Sequence, residues 1–397
     1  MLNSRSVVLS LSGILAHHRY LAEALAQLHL LRRAVLFGTH LEVFEADSGG
    51  HLRMLRRFSS YRFFNRAIWG LSRRVPLLMR GPQPSVALSL FAERAVSTSI
   101  PPCTVFHGMM GVCLSGLRKA KGLGAITFVD TATLHPIVFN REVLAACRRS
   151  GFPAKRCEHV MPQILLDRLE KEYEACDKII TYSSASQRTF ESSSYAHKTV
   201  RVHPGIDHFL FTPRADPIFD STFRVCYVGR IEAAKGLDYL IEAWERLALD
   251  NAELVLVGRV FPEIAKLLAN RSPRATIRLA GILPRVEVAR QYRQSDLFVF
   301  PSVNEGLPLA VLEAMSSGLP VIACQDTGAD DCILSGTDGL LVSGSKIDEL
   351  ADAIRWSYGH RDELAVMGKR ARTTIEERFT LAHYVERITS LYNRSLM

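Results

Sequence analysis

Short unbroken apolar runs alternate with helix-length amphipathic stretches along the second half of the chain. Arg224–Val228 reads as a strand ending at Gly229, and a helical pattern follows over Leu237–Leu249. Glu253–Val257 ends at Gly258, and Thr276–Ala280 ends at Gly281. Leu297–Phe300, a helix near Pro308–Ser317, Pro320–Cys324, Leu340–Val342 and a helix over Ile347–Tyr358 complete the series. Strands that are apolar at consecutive positions are buried on both faces, which predicts a parallel sheet with helices on each side. The pattern is that of a doubly wound, Rossmann-like α/β domain.

The first half repeats the theme more loosely. Val7–Ser12 runs into Gly13, and a helical pattern continues through Leu31. Ala34–Phe37, Val86–Leu90, Thr104–His107, Ala125–Val129 and Lys178–Thr181 are further strand candidates. Pro204, Gly205, Pro213 and Pro217 cluster where one domain should give way to the next. The expected division is 1–205, 206–380, and a C-terminal helix over 381–397 that packs back toward the first domain. Two Rossmann-like domains joined in this way face each other across a cleft, and ligands of such sheets bind at the carboxyl ends of the strands.

Composition narrows the class. The chain has 397 residues, 48% hydrophobic and 22% charged, which excludes a largely disordered, collagenous or coiled-coil protein. Its 8 cysteines form no C-x-x-C pair, so neither a zinc module nor a disulfide framework is indicated. No apolar run approaches the ~20 residues of a membrane-spanning helix. Arg5 followed by Val7–Ala16 has the outline of a signal peptide, but a buried first strand explains it better, and a cytoplasmic location is expected.

Charge is divided unevenly. Residues 1–200 carry 26 Lys and Arg against 14 Asp and Glu, a balance of +12, whereas residues 201–397 carry 23 against 26, a balance of −3. The segment 48–92 has no acidic residue. It holds Arg53, Arg56, Arg57, Arg62, Arg66, Arg73, Arg74 and Arg80 among Phe58, Tyr61, Phe63, Phe64 and Trp69. Arginines and aromatics at helical spacing predict an amphipathic surface, suited to resting on the anionic inner face of a membrane through Arg53–Arg80. No nucleic-acid-binding motif accompanies it.

Two stretches carry the candidate chemistry. In the first, Leu297–Phe300 leads into a loop with Glu305, Gly306 and Leu307, and Pro308 is expected as the first helical residue. Glu313 then falls about one and a half turns into the helix, so both carboxylates can face one ligand. The free N–H groups of such a helix start favour an anion, and carboxylates accept hydrogen bonds from sugar and ribose hydroxyls. In the second stretch, Gly229 ends a strand and Arg230 and Lys235 follow, five residues apart, before the next helix. A guanidinium fork and an ammonium both suit phosphate oxygens. Together they fit a nucleotide-sugar.

These residues resemble the family-4 glycosyltransferases of the GT-B fold. Glu305 and Glu313 meet the family's E-x7-E motif, and Gly229, Arg230, Lys235 and Gly236 meet its G-R-x4-K-G. Pro204-Gly205-Ile206-Asp207 with Phe209 resembles its interdomain signature. Cys324–Ile333 resembles a variant of its G-G-x-x-E segment, with Asp330 where Glu is usual. The resemblance implies a retaining transferase that moves a sugar from a nucleotide-sugar to a glycan or lipid-linked glycan. It implies that Arg230 and Lys235 hold the donor diphosphate, Glu313 the ribose and Glu305 the sugar hydroxyls. The backbone of Gly306, Leu307 and Pro308 would line the sugar pocket. Gly13 would approach the diphosphate, Gly258 would form a glycine turn lacking its usual second glycine, and Ile282 and Leu283 would meet the base. Many relatives carry a His where this chain has Asp130; His135 follows five residues later. Asp130, His135 and His107 are therefore the candidates for the polar group at the reacting centre, and His17 and His18 for contact with the acceptor.

No D-x-D occurs, and the two cations can replace a metal, so no cofactor and no metal are expected. Three rival functions share parts of the pattern. A sugar-nucleotide epimerase has the same fold with other motifs. A nicotinamide-dependent oxidoreductase should show G-x-G-x-x-G, which neither Gly13 nor Gly229 opens. A non-catalytic homologue should have lost some of Arg230, Lys235, Glu305 and Glu313.

Overall fold

The computed structural model describes residues 2, 6–12, 15–37, 41–58, 100–151, 160–215, 221–269, 276–344 and 346–397. The first domain runs β1 (Val7–Ser12), α1 (Ala16–Gln27), β2 (Leu31–Phe37), β3 (Leu41–Ala46), β4 (Leu52–Phe58), β5 (Val105–Met109), α2 (Leu114–Gly122), β6 (Ile126–Thr131) and α3 (Pro136–Arg149). It closes with α4 (Gln163–Ala175), β7 (Lys178–Thr181), α5 (Ser184–Arg188) and β8 (Thr199–Arg201). The eight strands lie in the order β4-β3-β2-β1-β5-β6-β7-β8. From β2 to β8 along β1 the pairings are parallel.

The second domain runs β9 (Phe223–Val228), α6 (Leu237–Leu247), β10 (Ala252–Val257), α7 (Pro262–Ala269), β11 (Ile277–Gly281), α8 (Arg285–Arg293), β12 (Leu297–Phe300), α9 (Leu309–Ser316), β13 (Val321–Cys324) and β14 (Leu340–Val342). Its six parallel strands take the order β11-β10-β9-β12-β13-β14. The central strands are sealed on both faces: Val225, Cys226, Tyr227, Phe298 and Val299 are fully buried. Strand order reverses between β9 and β12 here, and between β1 and β5 in the first sheet. Those two reversals define the crevices where ligands of such sheets bind.

Helices α10 (Ile347–Gly359), α11 (Arg361–Arg378) and α12 (Leu381–Ser395) follow. The last of them packs on α1, so the chain crosses between domains twice. The crossings run side by side. Ile206 bridges Thr380 in parallel, and Ile206 N–H donates to Phe379 O at 2.8 Å. A Cβ on Gly205 would stand 2.5 Å from Thr380 O, which explains a glycine at that place in the interdomain segment. Among the described residues no helix is long and apolar enough to cross a membrane.

Two sequence expectations for the first domain need correction. The sheet is not wholly parallel, because β2, β3 and β4 form an antiparallel edge. The start of the basic segment is strand β4 rather than a helical face. The register sets Glu45 opposite Arg53 and Glu42 opposite Arg57, so these arginines lie across from glutamates on β3. The glutamates themselves pair with Arg33 and Arg19, and a sequence window centred on the β4 arginines does not contain them. Residues 59–99, with the rest of Arg53–Arg80 and the strand expected at Val86–Leu90, lie outside the described residues, as does Gly13.

Candidate active site

The carboxyl ends of β9, β10 and β11 stack three glycine turns. Gly229 has φ +152 and Gly258 has φ +143, and a Cβ on Gly258 would stand 1.8 Å from Gly229 O. Gly258 N–H donates to Gly281 O at 2.8 Å. No side chain fits between these turns, so the cations that follow Gly229 are held at the strand end. Tyr227 OH donates to Arg230 O at 2.8 Å and fixes the turn. Arg230 remains 43% exposed, with Nε 3.0 Å from Glu232 Oε1.

Lys235 ends a short 3-10 turn over Ala233–Lys235, and Gly236 reverses the chain with φ +71 before α6. A Cβ on Gly236 would stand 2.1 Å from Pro301 O. The turn after β9 is thereby seated on the turn after β12. Lys235 Nζ donates to Asn304 O at 3.3 Å and pairs with Glu305 Oε1. Ser302 Oγ donates to the same carboxylate oxygen at 3.0 Å. The structure thus brings Lys235 and Glu305 into direct contact across the switch point.

Glu313 is paired separately. Its Oε1 lies 3.1 Å from an Arg285 Nη, and the Tyr292 hydroxyl, which donates to Ala310 O at 3.3 Å, lies nearby. Burial pushes its pKa up to about 7, against the opposing pull of Arg285 and Tyr292. Leu283 is half-buried beside the exposed Ile282 just before α8. Leu307 is buried. Pro308 differs from expectation. With φ −74 and ψ 105 it is the N-cap, and the helix begins at Leu309. Its extended ψ turns the chain out of the preceding loop, and its carbonyl accepts Val311 N–H at 3.0 Å.

The loop around Gly306 touches the first domain. Ser183 Oγ donates to Gly306 O, and a Cβ on Gly306 would stand 2.6 Å from Ala132 O. In the segment after β13, Asp330 accepts the N–H of Asp326, whereas its neighbour Asp331 reaches across the interface. Asp331 accepts Ser184 N–H and His203 Nε2, both at 2.8 Å. Burial opposes its ionisation, but His203 and Ser184 outweigh that and hold the carboxyl below the usual range. Nothing in the local sequence separates these two aspartates; the partners lie some 130 to 150 residues away.

At the first domain's reversal a buried polar cluster forms. Asp130, at the end of β6, is fully buried. Its Oδ2 lies 3.1 Å from His18 Nε2 and 3.4 Å from His107 Nε2. Tyr392 on α12 lies 2.7 Å from His107 Nδ1. Since Asp130 only accepts, His107 Nε2 carries the proton and Tyr392 OH donates to Nδ1. Tyr182 OH lies 3.0 Å from His17 Nε2 and 2.9 Å from His18 Nε2, and Tyr384 packs edge-on against His17 at 5.0 Å. Burial works against ionising Asp130, yet the imidazoles of His18 and His107 hold it well below the ordinary carboxylate range. Burial also pushes His107 down, and pushes His17 well down, with His18 adding to it.

His135 has a different task. It caps α3, its Nδ1 accepting Ile137 N–H at 3.4 Å, and its ring packs edge-on against Phe190 at 4.8 Å. Its backbone N–H donates to Thr189 Oγ at 2.8 Å. Of the three candidates for the reacting centre, Asp130 and His107 therefore share one cluster and His135 stands apart as a helix cap. His17 and His18 turn inward into that cluster. Arg285, Tyr182, Tyr384 and Tyr392 were not legible as site residues, because each gains its meaning from a partner distant in sequence.

Residues 211–374 match the family model described as glycosyl transferases group 1. A D-inositol 3-phosphate glycosyltransferase of Kribbella flavida is 30% identical over 51% of this chain and 53% of its own length. The chain spans about half the length of the curated relatives it matches. Sucrose-phosphate synthase from Thermosynechococcus elongatus superposes with a TM-score of 0.70 at 18% identity, covering 99% of both chains. Anabaena HepE, solved with UDP-glucose, superposes with a TM-score of 0.66 at 17% identity, covering 98% of this chain and 100% of its own. The fold is that of the GT-B glycosyltransferases, and residues 211–374 resemble glycosyl transferases group 1.

Proposed function

We propose that the protein is a retaining glycosyltransferase that takes a sugar from a nucleoside-diphosphate donor and places it on a glycan or lipid-linked glycan. The observation that carries this reading is the meeting of Lys235 and Glu305 at the β9/β12 switch point, with Arg230 in the same turn after β9. Cation and carboxylate stand where a diphosphate and its sugar would lie next to each other. HepE, which has the same fold, was solved with UDP and with UDP-glucose. A uridine donor is therefore the first to try.

In this reading the donor displaces the Lys235–Glu305 pair. Lys235 and Arg230 take the diphosphate, Glu305 turns to the sugar hydroxyls, and Glu313 receives the ribose. The acceptor hydroxyl approaches the anomeric carbon on the face the diphosphate leaves. The new C–O bond forms as the C–O bond to phosphate breaks, and the hydroxyl proton passes to the leaving phosphate oxygen. No protein nucleophile is needed. Catalysis is then positioning plus neutralisation of the leaving group.

Because two cations already serve the diphosphate, transfer is expected to persist in EDTA. The test is release of nucleoside diphosphate from a panel of nucleotide-sugars with mixed glycan acceptors, in EDTA, with the product's anomeric configuration read by proton NMR. Retention without added metal supports the reading. Inversion, or loss on chelation that magnesium restores, overturns this mechanism.

A further inference from the structure

The nucleotide site contains a residue that no motif names. Arg285 is the first residue of α8, and its guanidinium pairs with Glu313 at 3.1 Å. The pair is lopsided: Glu313 is 12% exposed at the side chain and Arg285 47%. Arg285 is braced from below, its guanidinium carbon 5.0 Å from the centre of the Phe211 ring. Tyr292, two turns further along the same helix, lies near the same carboxyl, and its hydroxyl donates to Ala310 O at 3.3 Å. The direct contact that α8 makes with the Glu313 carboxylate is therefore the Arg285 ion pair.

We propose that Arg285 is a positioning residue of the nucleotide site, holding the Glu313 carboxylate in the place and form that accept the two ribose hydroxyls. The proposal rests on the donor-site reading above and adds to it a residue that acts through Glu313 rather than on the nucleotide. The physical need is plain. A carboxylate can accept from both hydroxyls of a ribose, whereas a protonated carboxyl must use one oxygen as a donor. Burial disfavours the ionised form of Glu313, and its pKa stands at about 7 even with Arg285 beside it. The groups that face this carboxyl are Arg285 and Tyr292, and behind Tyr292 lies Cys226. Arg285 supplies the opposing charge. Without it, Glu313 is protonated at neutral pH and presents the wrong hydrogen-bonding pattern.

The sign follows. Glu313 binds ribose in its ionised form, so affinity falls as pH drops through the folded pKa. Removing an adjacent opposite charge raises a carboxyl pKa by roughly 1–3 units. The experiment is calorimetric titration of UDP in EDTA from pH 6 to 9, with the wild type, Arg285→Gln, Arg285→Lys, Glu313→Gln and the double variant Arg285→Gln/Glu313→Gln. UDP's own titration is common to all five. The wild type should weaken as pH falls through about 7. Arg285→Gln should move that midpoint upward by roughly 1–3 pH units, and Arg285→Lys should move it less. Glu313→Gln should lose the protein's share of the pH dependence, and the double variant should bind no worse than Glu313→Gln alone. Arg285→Met, which keeps the packing over Phe211, gives the same readout should the glutamine variant fail to fold. An Arg285 variant that binds as the wild type at every pH, or is weaker by one constant factor, overturns the proposal. So does a double variant weaker than Glu313→Gln, since Arg285 would then touch the nucleotide directly. Failure of the wild type to bind UDP or any other nucleoside diphosphate would instead overturn the donor-site reading.

Discussion

Donor turnover is expected to fall about 10²–10³-fold when Lys235 is replaced by alanine, the usual cost of removing one preorganised group that stabilises developing charge. Lys235 stands where β9 and β12 diverge, its Nζ on Asn304 O and its charge on Glu305. When the donor bond breaks, negative charge accumulates on the departing diphosphate, and an ammonium already in place needs no reorganisation. Arg230→Ala should act in the same direction, through a guanidinium that is 43% exposed and pairs with Glu232. Its loss also removes the 3.0 Å ion pair of the buried Glu232 carboxylate, so the melting temperature should fall as well. The check is steady-state turnover beside thermal unfolding of each variant. Near-normal turnover in both would place the leaving group elsewhere.

The second large effect is on stability and lies in the other domain. Asp130→Ala should lower the unfolding free energy by about 3–5 kcal/mol, the range for removing one partner from a buried charged network. His18 and His107 both point an Nε2 at one Asp130 oxygen, and neither has access to water. Through His107 the network also holds Tyr392 on α12, so the variant loosens the return of the last helix. The pH dependence has a definite sign. The folded pKa of Asp130 is depressed below the ordinary 3.8, so its contribution is complete above that value and is lost as pH falls toward the folded one. The gap between the denaturant midpoints of wild type and variant should be constant from pH 7 down to about 4 and should narrow as pH falls below the ordinary 3.8. A gap that stays constant at the acid end would show that Asp130 contributes packing rather than charge.

Legibility differed between the domains for a physical reason. Strands β9, β10, β12 and β13 are sealed on both faces, and double burial leaves an unbroken apolar run that no other element imitates at that length. Strands β3 and β4 lie at a sheet edge. The register sets their glutamates opposite arginines, and the arginines alone imitate an amphipathic helix. In the site, Arg230, Lys235, Glu305 and Glu313 could be found because glycine turns and a helix start fix their spacing along the chain. His18 and His107 were candidates too, but their pairing with Asp130 was not legible. His18 lies 112 residues away and Tyr182 reaches the same imidazole from 164, and no spacing rule spans such distances. Arg285 was hidden for a simpler reason: an arginine opening a helix is ordinary until its carboxylate partner is known.

The central claim is that the crevice between β9 and β12 binds a nucleoside diphosphate through Arg230 and Lys235 without a metal ion. Calorimetric titration of the wild-type protein and the Lys235→Ala variant with UDP and other nucleoside diphosphates, in EDTA, tests it most directly. The account predicts one-to-one binding to the wild type without metal, and a marked loss of affinity in the variant. Wild-type protein that ignores every nucleoside diphosphate, or a variant that binds as tightly as wild type, would contradict it.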